Sequence, residues 1–180
     1  MATVKVWDLF VRVFHWGLVA SFAVAFLSSE ERDLRSLHYL AGYTAAALVA
    51  LRIVWGVVGT HYARFVQFVR GPRTTLEYVK AVATGHEARH LGHNPAGGAM
   101  ITLLLVSLIG VSLTGHLMTT DAFWGSQEME DAHEILANGM LGLVVLHVGG
   151  VIFESIRHHE SLVKAMITGY KRTPAPGDVT

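Results

Sequence analysis

Four long apolar blocks constrain the fold of this chain more than any other feature. Each block is close to the ~20 residues that a helix needs to cross the hydrocarbon core of a bilayer. Hydrophobic residues make up 52% of the 180 and charged residues 16%, whereas soluble domains are about 25% charged. The sequence therefore predicts an all-α integral membrane protein, a four-helix up-and-down bundle. The predicted helices cover about residues 11–27, 37–58, 96–118 and 132–156.

The distribution of positive charge predicts how this bundle is oriented. With four spans, both termini lie on one side of the membrane together with the long loop from Gly59 to Pro95. The opposite side has only Arg32 and Arg35, among several acidic residues. Because loops rich in Lys and Arg stay in the cytoplasm, we expect both termini to be cytoplasmic, in a bacterial cell inner membrane. The cations on the predicted cytoplasmic side are Lys5, Arg12, Arg64, Arg70, Arg73, Lys80, Arg89, Arg157, Lys164, Lys171 and Arg172.

Local signals complete the predicted organisation. An apolar stripe over about 74–83, after a Gly-Pro turn, predicts an amphipathic helix that lies on the inner surface. Asn94 followed by Pro95 is typical of a helix start, and Asp131 is expected to cap the fourth helix. Residues 1–172 then form a single transmembrane domain, and we expect residues 173–180 to be a disordered tail.

The absence of cysteine excludes several redox centres. There can be no disulfide, no iron–sulfur cluster held by thiolates and no covalently attached c-type heme. A flavin or dinucleotide site is not indicated either, since no Gly-x-Gly-x-x-Gly motif follows a strand. Any redox centre in this chain must therefore be held by histidine or by contacts that involve no thiolate.

Four of the eleven histidines fall at two matched depths in the predicted bundle. His133 and His147 lie fourteen residues apart on the fourth helix, which is close to four turns and about 21 Å along one face. His38, near the outer start of the second helix, shares the depth of His133. His15, near the inner start of the first helix, shares the depth of His147. Two pairs at two depths predict two hemes, each with an iron held by imidazoles from two helices.

Other interpretations of these residues stay open. Each histidine could instead form a hydrogen bond with a neighbouring helix. Zinc needs four ligands at one point, and a di-iron site needs Glu-x-x-His pairs, for which the lone Glu154 is insufficient. Glycines near the pairs, such as Gly42, suit either a flat macrocycle or close helix packing. His116, near the outer end of helix three, could be a ligand or a polar participant. The inner histidines are expected to be solvated or to face headgroups: His61, His86, His90, His93, His158 and His159.

Three arginines are candidates for binding heme propionates. Arg12 lies one turn before His15, and Arg35 lies one turn before His38, so each could reach a propionate from its ligand's face. Snorkelling to the interface is the alternative for both. Arg52 lies about two turns inside helix two, where a charge needs a partner, and we expect that partner to be a propionate of the inner heme.

Several motifs follow one another along the chain. They are Val6-Trp7-Asp8, Arg12-Val-Phe-His15-Trp16, Leu37-His38 with Gly42, Arg52-Ile-Val-Trp55, Leu91-Gly-His-Asn-Pro-Ala-Gly-Gly98, His133-Glu-Ile-Leu-Ala-Asn138 and His147. Together they resemble the prokaryotic cytochrome b561 family, over about Val4 to Arg172. The resemblance implies a four-helix cytochrome with two heme b groups, whose ligands come from helices one, two and four. That carries over onto His15 with His147 and His38 with His133, and it makes His116 a non-ligand.

The resemblance also implies electron transfer, with three hypotheses for its setting. The first is a diheme cytochrome that transfers electrons across the inner membrane, between the quinone pool and a periplasmic redox partner such as a cytochrome c. The second is a superoxide:quinone oxidoreductase, which the acidic outer face disfavours. The third is a b-type anchor subunit of a hydrogenase or dehydrogenase; such subunits often have an additional helix, so four spans favour a stand-alone protein.

The expected partners follow from these hypotheses. Membrane lipid surrounds the spans, and quinone or quinol is an expected small-molecule partner. Nucleic acid is not an expected partner. No residue is predicted to be catalytic, and whether the chain is itself a quinone-linked oxidoreductase stays open.

Overall fold

The computed structural model describes residues 2–180, and helices dominate this part of the chain. Four helices are long and apolar enough to cross a membrane, which confirms the predicted fold class: the chain is a multi-pass, mostly helical membrane protein. The four are α1 (Leu9–Leu27), α2 (Arg35–Val58), α5 (Pro95–Leu117) and α6 (Gln127–Arg157). Shorter elements are α3 (Phe65–Phe68), α4 (Pro72–Thr84), α7 (Leu162–Thr168), strands β1 (Thr3–Lys5) and β2 (Tyr170–Arg172), and 3₁₀ turns at Arg32–Leu34 and His61–Ala63.

The starts of α4 and α5 follow the sequence signals. At α5, the side-chain oxygen Oδ1 of Asn94 accepts a hydrogen bond from the backbone N–H of Gly97 at 2.7 Å, which is the cap that Asn-Pro predicts. Helix α4 contains the segment that was expected to be amphipathic. It begins at Pro72, and Gly85 ends it in the left-handed conformation with φ 73°, as glycine does at many helix ends.

Helix α6 is longer than the sequence predicts. It begins at Gln127, so the expectation that Asp131 caps this helix is wrong. Ser126 caps the helix instead, because its hydroxyl accepts a hydrogen bond from the N–H of Met129 at 3.4 Å. Apolar patterning could not reveal this extra turn, since its residues are mostly polar and it adds no hydrophobic surface.

The chain divides into two compact units. The loop unit contains the described residues up to Arg12 together with Val54–Thr102 and Val145–Thr180. The span unit contains Val13–Ile53 and Leu103–Val144. Helices α1, α2, α5 and α6 each contribute residues to both units.

The loop unit has its own small core and a short β ladder. Strand β1 pairs antiparallel with β2, with Val4 opposite Lys171. Asp8 fixes the start of α1, because its carboxylate accepts from the N–H of Val11 at 2.8 Å and from the indole N–H of Trp55 at 3.0 Å. The core cluster of buried apolar side chains comprises Val6, Trp7, Val11, Ala63, Leu91 and Ala165.

The C-terminal residues form contacts in this structure, whereas the sequence predicts a disordered tail over 173–180. The N–H of Val179 donates to the carbonyl of Arg89 at 2.8 Å, and the N–H of Leu91 donates to the carbonyl of Val179 at 2.9 Å. The carboxylate of Asp178 forms an ion pair with Arg89. The sequence could not show this, because the partners lie almost ninety residues away along the chain.

Small residues allow close helix contacts in the span unit. A Cβ added at Gly17 of α1 would lie 3.4 Å from Leu48 of α2, and one added at Gly110 of α5 would lie 3.3 Å from Leu136 of α6. Such close approach is typical of helix pairs in membranes, where packing rather than hydrophobic burial drives association.

Candidate metal and cofactor site

The four histidines singled out by depth lie on three helices. His133 and His147 are on the same continuous helix, α6, as the sequence predicts. His15 is on α1 and His38 on α2, and all four side chains are partly buried. His15 belongs to the span unit and His147 to the loop unit, so their pairing stays a prediction.

His38 and His133 come together within the span unit. Their ring centroids are 6.2 Å apart, and the ring planes are inclined by 77°. Two imidazoles on opposite sides of one metal would have centroids about 6 Å apart, from a metal–nitrogen bond of about 2 Å and about 1 Å to each ring centre. The observed separation therefore fits one metal ion held between the two rings. Within residues 2–180, no group of three or more His, Cys, Asp or Glu side chains is arranged to hold a metal ion.

Hydrogen bonds fix which nitrogen of His38 can bind a metal. Its Nδ1 lies 2.8 Å from the carbonyl oxygen of Ala25 on α1. A carbonyl only accepts, so Nδ1 carries the proton and donates, and Nε2 keeps the lone pair that a metal requires. A ligand histidine that donates its other N–H to a backbone carbonyl is the usual arrangement around protein-bound metals.

The same reasoning applies to His133, through a side chain of α5. The hydroxyl of Thr114 donates to the carbonyl of Gly110 at 2.9 Å, so the hydroxyl oxygen can accept from a second group. Nδ1 of His133 lies 3.0 Å from this oxygen and can donate to it. In that arrangement both rings are Nδ1–H tautomers with Nε2 available.

Glycines make room around both rings. A Cβ at Gly115 would lie 3.0 Å from Cε1 of His133, closer than the ring could tolerate in its present position. Nothing lies within 4 Å of a Cβ added at Gly42, one turn beyond His38. Gly115 therefore lies against the ring of His133, and α2 has no side chain at Gly42, a helix surface that fits a flat macrocycle.

The three arginines differ in their surroundings. Arg52 is only 3% exposed, and its guanidinium carbon lies 6.0 Å from the ring centroid of Phe14. Arg12 is partly buried; its Nη2 donates to the carbonyl of Ile167, while its buried Nε has no hydrogen-bond partner. Arg35 is exposed. Arg12 and Arg52 thus present guanidinium groups in partly or fully buried positions, which suits propionate binding better than the exposed position of Arg35.

His116 is exposed and forms a hydrogen bond with another side chain. Its Nδ1 lies 3.1 Å from the hydroxyl of Tyr43 on α2. A polar side chain in a span forms a hydrogen bond of this kind by default. The bond therefore does not test the expectation that His116 is not a heme ligand, which stays a prediction.

Two histidines of the long loop are packed rather than solvated, so the expectation for these two is wrong. The ring of His93 lies between those of Trp7 and Phe68, with centroid distances of 4.5 and 4.7 Å. His90 is partly buried, and its Nδ1 donates to the carbonyl of Ala88 at 3.0 Å. Burial holds the pKa of His90 below its ordinary value.

Thr114 and Gly115 were not identified from the sequence as part of the site. Thr114 precedes His133 by nineteen residues, and a single threonine in an apolar block looks like any other small helix residue. Only the packing of α5 against α6 reveals that adjacent residues hold and accommodate the same imidazole.

Comparisons with known proteins agree with the motifs. The model of the family described as prokaryotic cytochrome b561 matches residues 6–169. A probable Ni/Fe-hydrogenase B-type cytochrome subunit from Bradyrhizobium diazoefficiens is 24% identical, over 94% of this chain and 86% of its own length. Subunits with the same description from Cupriavidus necator and Azotobacter vinelandii are 27% and 28% identical, over 77% of this chain and 67% and 68% of their own lengths. No solved structure matches the chain.

Proposed function

Because the chain belongs to the prokaryotic cytochrome b561 family, we propose that it is a diheme cytochrome that transfers electrons across the membrane. The family match covers residues 6–169, and its relatives are described as B-type cytochrome subunits, so heme b is the cofactor that the family implies. The number of hemes and their ligands belong to the proposal. The observation that carries it is the His38–His133 pair, with centroids 6.2 Å apart and both Nδ1 atoms bonded.

The ligand assignment extends this pair to a second one. His38 and His133 hold one heme, and His15 and His147 hold the other. The fourteen residues between His133 and His147 on α6 separate the two centres by about 21 Å along the helix. When bound through two imidazoles, heme iron has no open position, so the group supplies electron transfer rather than oxygen chemistry.

The protein's own side chains position and charge-balance these groups. The carbonyl of Ala25 and the hydroxyl of Thr114 orient the two imidazoles. Arg12 and Arg52 are assigned to propionates, because a carboxylate pairs well with a guanidinium group in a partly or fully buried position. Arg35 is exposed. We therefore assign it to a propionate that reaches the edge of the membrane.

A redox enzyme is the favoured partner. The relatives are described as subunits of Ni/Fe hydrogenases, which favours a hydrogenase-type enzyme over a small cytochrome c and favours the anchor-subunit hypothesis over a stand-alone protein. We assign quinone or quinol as the redox partner within the membrane. The protein then connects the enzyme to the quinone pool.

Electron transfer across a bilayer tests this function directly. Proteoliposomes would contain trapped ferricyanide, with duroquinol added outside. The expected result is loss of ferricyanide absorbance at least about a hundredfold faster than in vesicles without protein, and a return to the background rate in His133→Ala. A protein that binds heme but leaves the rate at background would contradict the function, since its hemes would then be structural only.

A further inference from the structure

The C-terminal end of α6 carries a cluster of titratable side chains that the proposed electron transfer does not use. Glu154 lies in the last turn of α6, and its side chain is 18% exposed. Its Oε1 accepts a hydrogen bond from the hydroxyl of Tyr78 at 3.2 Å, and its Oε2 lies 3.1 Å from Nε2 of His158. Tyr78, on α4, is only 8% exposed. Glu154 therefore belongs to a mostly buried polar cluster of the loop unit.

The contacts of Glu154 suit the binding of one proton. Burial, followed by the charge of Glu154, holds the pKa of Tyr78 above its ordinary value, so the hydroxyl keeps its own proton and donates to the carboxylate. Nε2 of His158 is buried, and within residues 2–180 no aligned hydrogen bond reaches it. Because 3.1 Å is a hydrogen-bonding distance, this nitrogen and Oε2 of Glu154 can share a proton.

Other charged and titratable groups surround the Glu154–His158 pair. Those that exchange charge interactions with it are His90, Arg157, Lys171 and Glu87. Arg157 already pairs with the carboxylate of Glu87 at 2.6 Å. Burial holds the pKa of His90 below its ordinary value and lowers the pKa of Lys171 to about 8. Lys171 is therefore the neighbour whose titration a test of the pair must separate.

Glu154 lies on the same face of α6 as His147, the proposed ligand of the second heme. Seven residues separate them, which is close to two turns, so both side chains leave one face about 10 Å apart along the axis. Both residues belong to the loop unit. At an effective dielectric constant of about 20, unit charges about 10 Å apart change each other's equilibrium constants about tenfold. An electron near His147 and a proton near Glu154 would thus stabilise each other.

From this arrangement we infer that the Glu154–His158 pair binds a proton when an electron enters the heme held by His147. One electron from the redox enzyme reduces the iron from Fe(III) to Fe(II), and one proton moves from water to the pair. This water lies on the side of the membrane that is predicted to be cytoplasmic, and His158, with a side chain 18% exposed, is the group that meets it. The inference rests on the proposed function, because it requires a heme at His147.

Redox titration at several pH values tests this coupling. The hemes are first counted by the pyridine hemochrome assay, and their midpoint potentials are then measured between about pH 5.5 and 8.5. We expect the potential of one heme to fall by about 59 mV as the pH rises, which corresponds to tenfold tighter proton binding in the reduced protein. His133→Ala, which should retain only the heme of His147, should keep this dependence.

Two substitutions of Glu by Gln provide the comparison. Glu154→Gln should remove most of the pH dependence and raise the potential at high pH, because a negative charge is lost. Glu77→Gln is the matched control: Glu77 precedes Tyr78 on α4, but its side chain is 62% exposed and pairs with Arg73, so the dependence should be unchanged. If Glu154→Gln does not fold with two hemes, His158→Gln serves instead, with the same loss expected.

Three outcomes would overturn the inference. Two hemes whose potentials do not change with pH would overturn it and leave the proposed electron transfer intact. A dependence that persists in Glu154→Gln and is lost in Lys171→Met would assign the proton to the lysine. Fewer than two hemes in the parent would remove the heme assignment, and the inference with it.

Discussion

The Arg89 network of the loop unit and the histidine pair of the span unit are held in different ways. In the loop unit, buried charges meet opposite charges: Arg89 is 5% exposed and contacts the carboxylates of Glu160 and Asp178. In the span unit, imidazoles meet neutral oxygens, as in the contacts of His38 with Ala25 and of His133 with Thr114. The loop unit is thus built like a small soluble domain, whereas the span unit is built for a medium without water.

This difference shows what the histidines of the spans are arranged to do. A neutral imidazole with its Nδ1–H donated to an oxygen costs less to bury than an ion pair, and it retains one nitrogen lone pair. Two such rings with centroids 6.2 Å apart have the separation expected of two imidazoles on a single metal. In the loop unit the polar groups stabilise the fold, and in the span unit we propose that they also prepare a binding site.

Breaking the Arg89 network should have the largest effect on stability. Arg89→Met would leave the carboxylates of Glu160 and Asp178, which are each about 10% exposed, close together without their cation. We expect the free energy of unfolding to fall by about 3–5 kcal/mol, as for other buried pairs that lose one partner. Thermal or denaturant unfolding of the purified protein in detergent measures this loss.

The exposed pair Arg73–Glu77 provides the control for that experiment. Its side chains are 92% and 62% exposed, so Arg73→Gln should cost about 0.5 kcal/mol or less. Similar losses in the two variants would mean that the loop unit does not depend on its buried charges, and the contrast with the span unit would be lost.

The buried Lys171 should make the stability of the loop unit depend on pH. Burial lowers the pKa of Lys171 from 10.5 to about 8, and its ammonium lies 5.6 Å from the ring of Trp7. Between pH 8 and 10.5 the unfolded chain binds more protons than the folded chain, so the free energy of unfolding should rise with pH. The shift corresponds to about 3 kcal/mol of stability that is absent below pH 8.

Unfolding measured at pH 7, 8.5 and 10 checks this dependence. Lys171→Met should remove most of the rise, whereas Lys164→Met, at an exposed position, should keep it. A rise of equal size in Lys171→Met would assign the pH dependence to other groups.

Removing the oxygen that orients His133 should have a smaller effect, confined to one heme. Thr114→Val keeps the shape of the side chain and removes the acceptor for Nδ1 of His133. Loss of such a supporting contact weakens metal binding about 10- to 100-fold. We therefore expect one of the two hemes to be lost faster on transfer to apomyoglobin, and its midpoint potential to shift.

Thr44→Val is the matched variant for this measurement. The hydroxyl of Thr44 donates only to the carbonyl of Leu40 on its own helix, at 2.7 Å, so both hemes should be retained as in the parent. Identical transfer rates in Thr114→Val and the parent would remove Thr114 from the site.

The four spans could be predicted from the sequence because each is a long apolar block. In a membrane such a block has few alternatives to forming a helix. The capping role of Asn94 was predictable for a similar reason, since the cap and its target are three residues apart. The extra turn of α6 and the contacts of Asp178 were not predictable. The first is polar, and the second depends on an ion pair between residues eighty-nine positions apart.

The candidate site shows the same division. Helical periodicity places His133 and His147 on one face, and depth matches His38 to His133. Periodicity does not give the rotation of α5 relative to α6, so the roles of Thr114 and Gly115 appear only when the side chains are in place. A sequence can thus indicate which residues bind a metal more readily than which residues orient them.

Heme stoichiometry tests the central claim most directly. The pyridine hemochrome assay, with protein determined by amino-acid analysis, should give two heme b per chain in the parent and in His116→Ala. It should give one in His133→Ala and one in His147→Ala, because we propose that each histidine binds a different heme. Fewer than two hemes in the parent, or two retained in His133→Ala, would contradict the account.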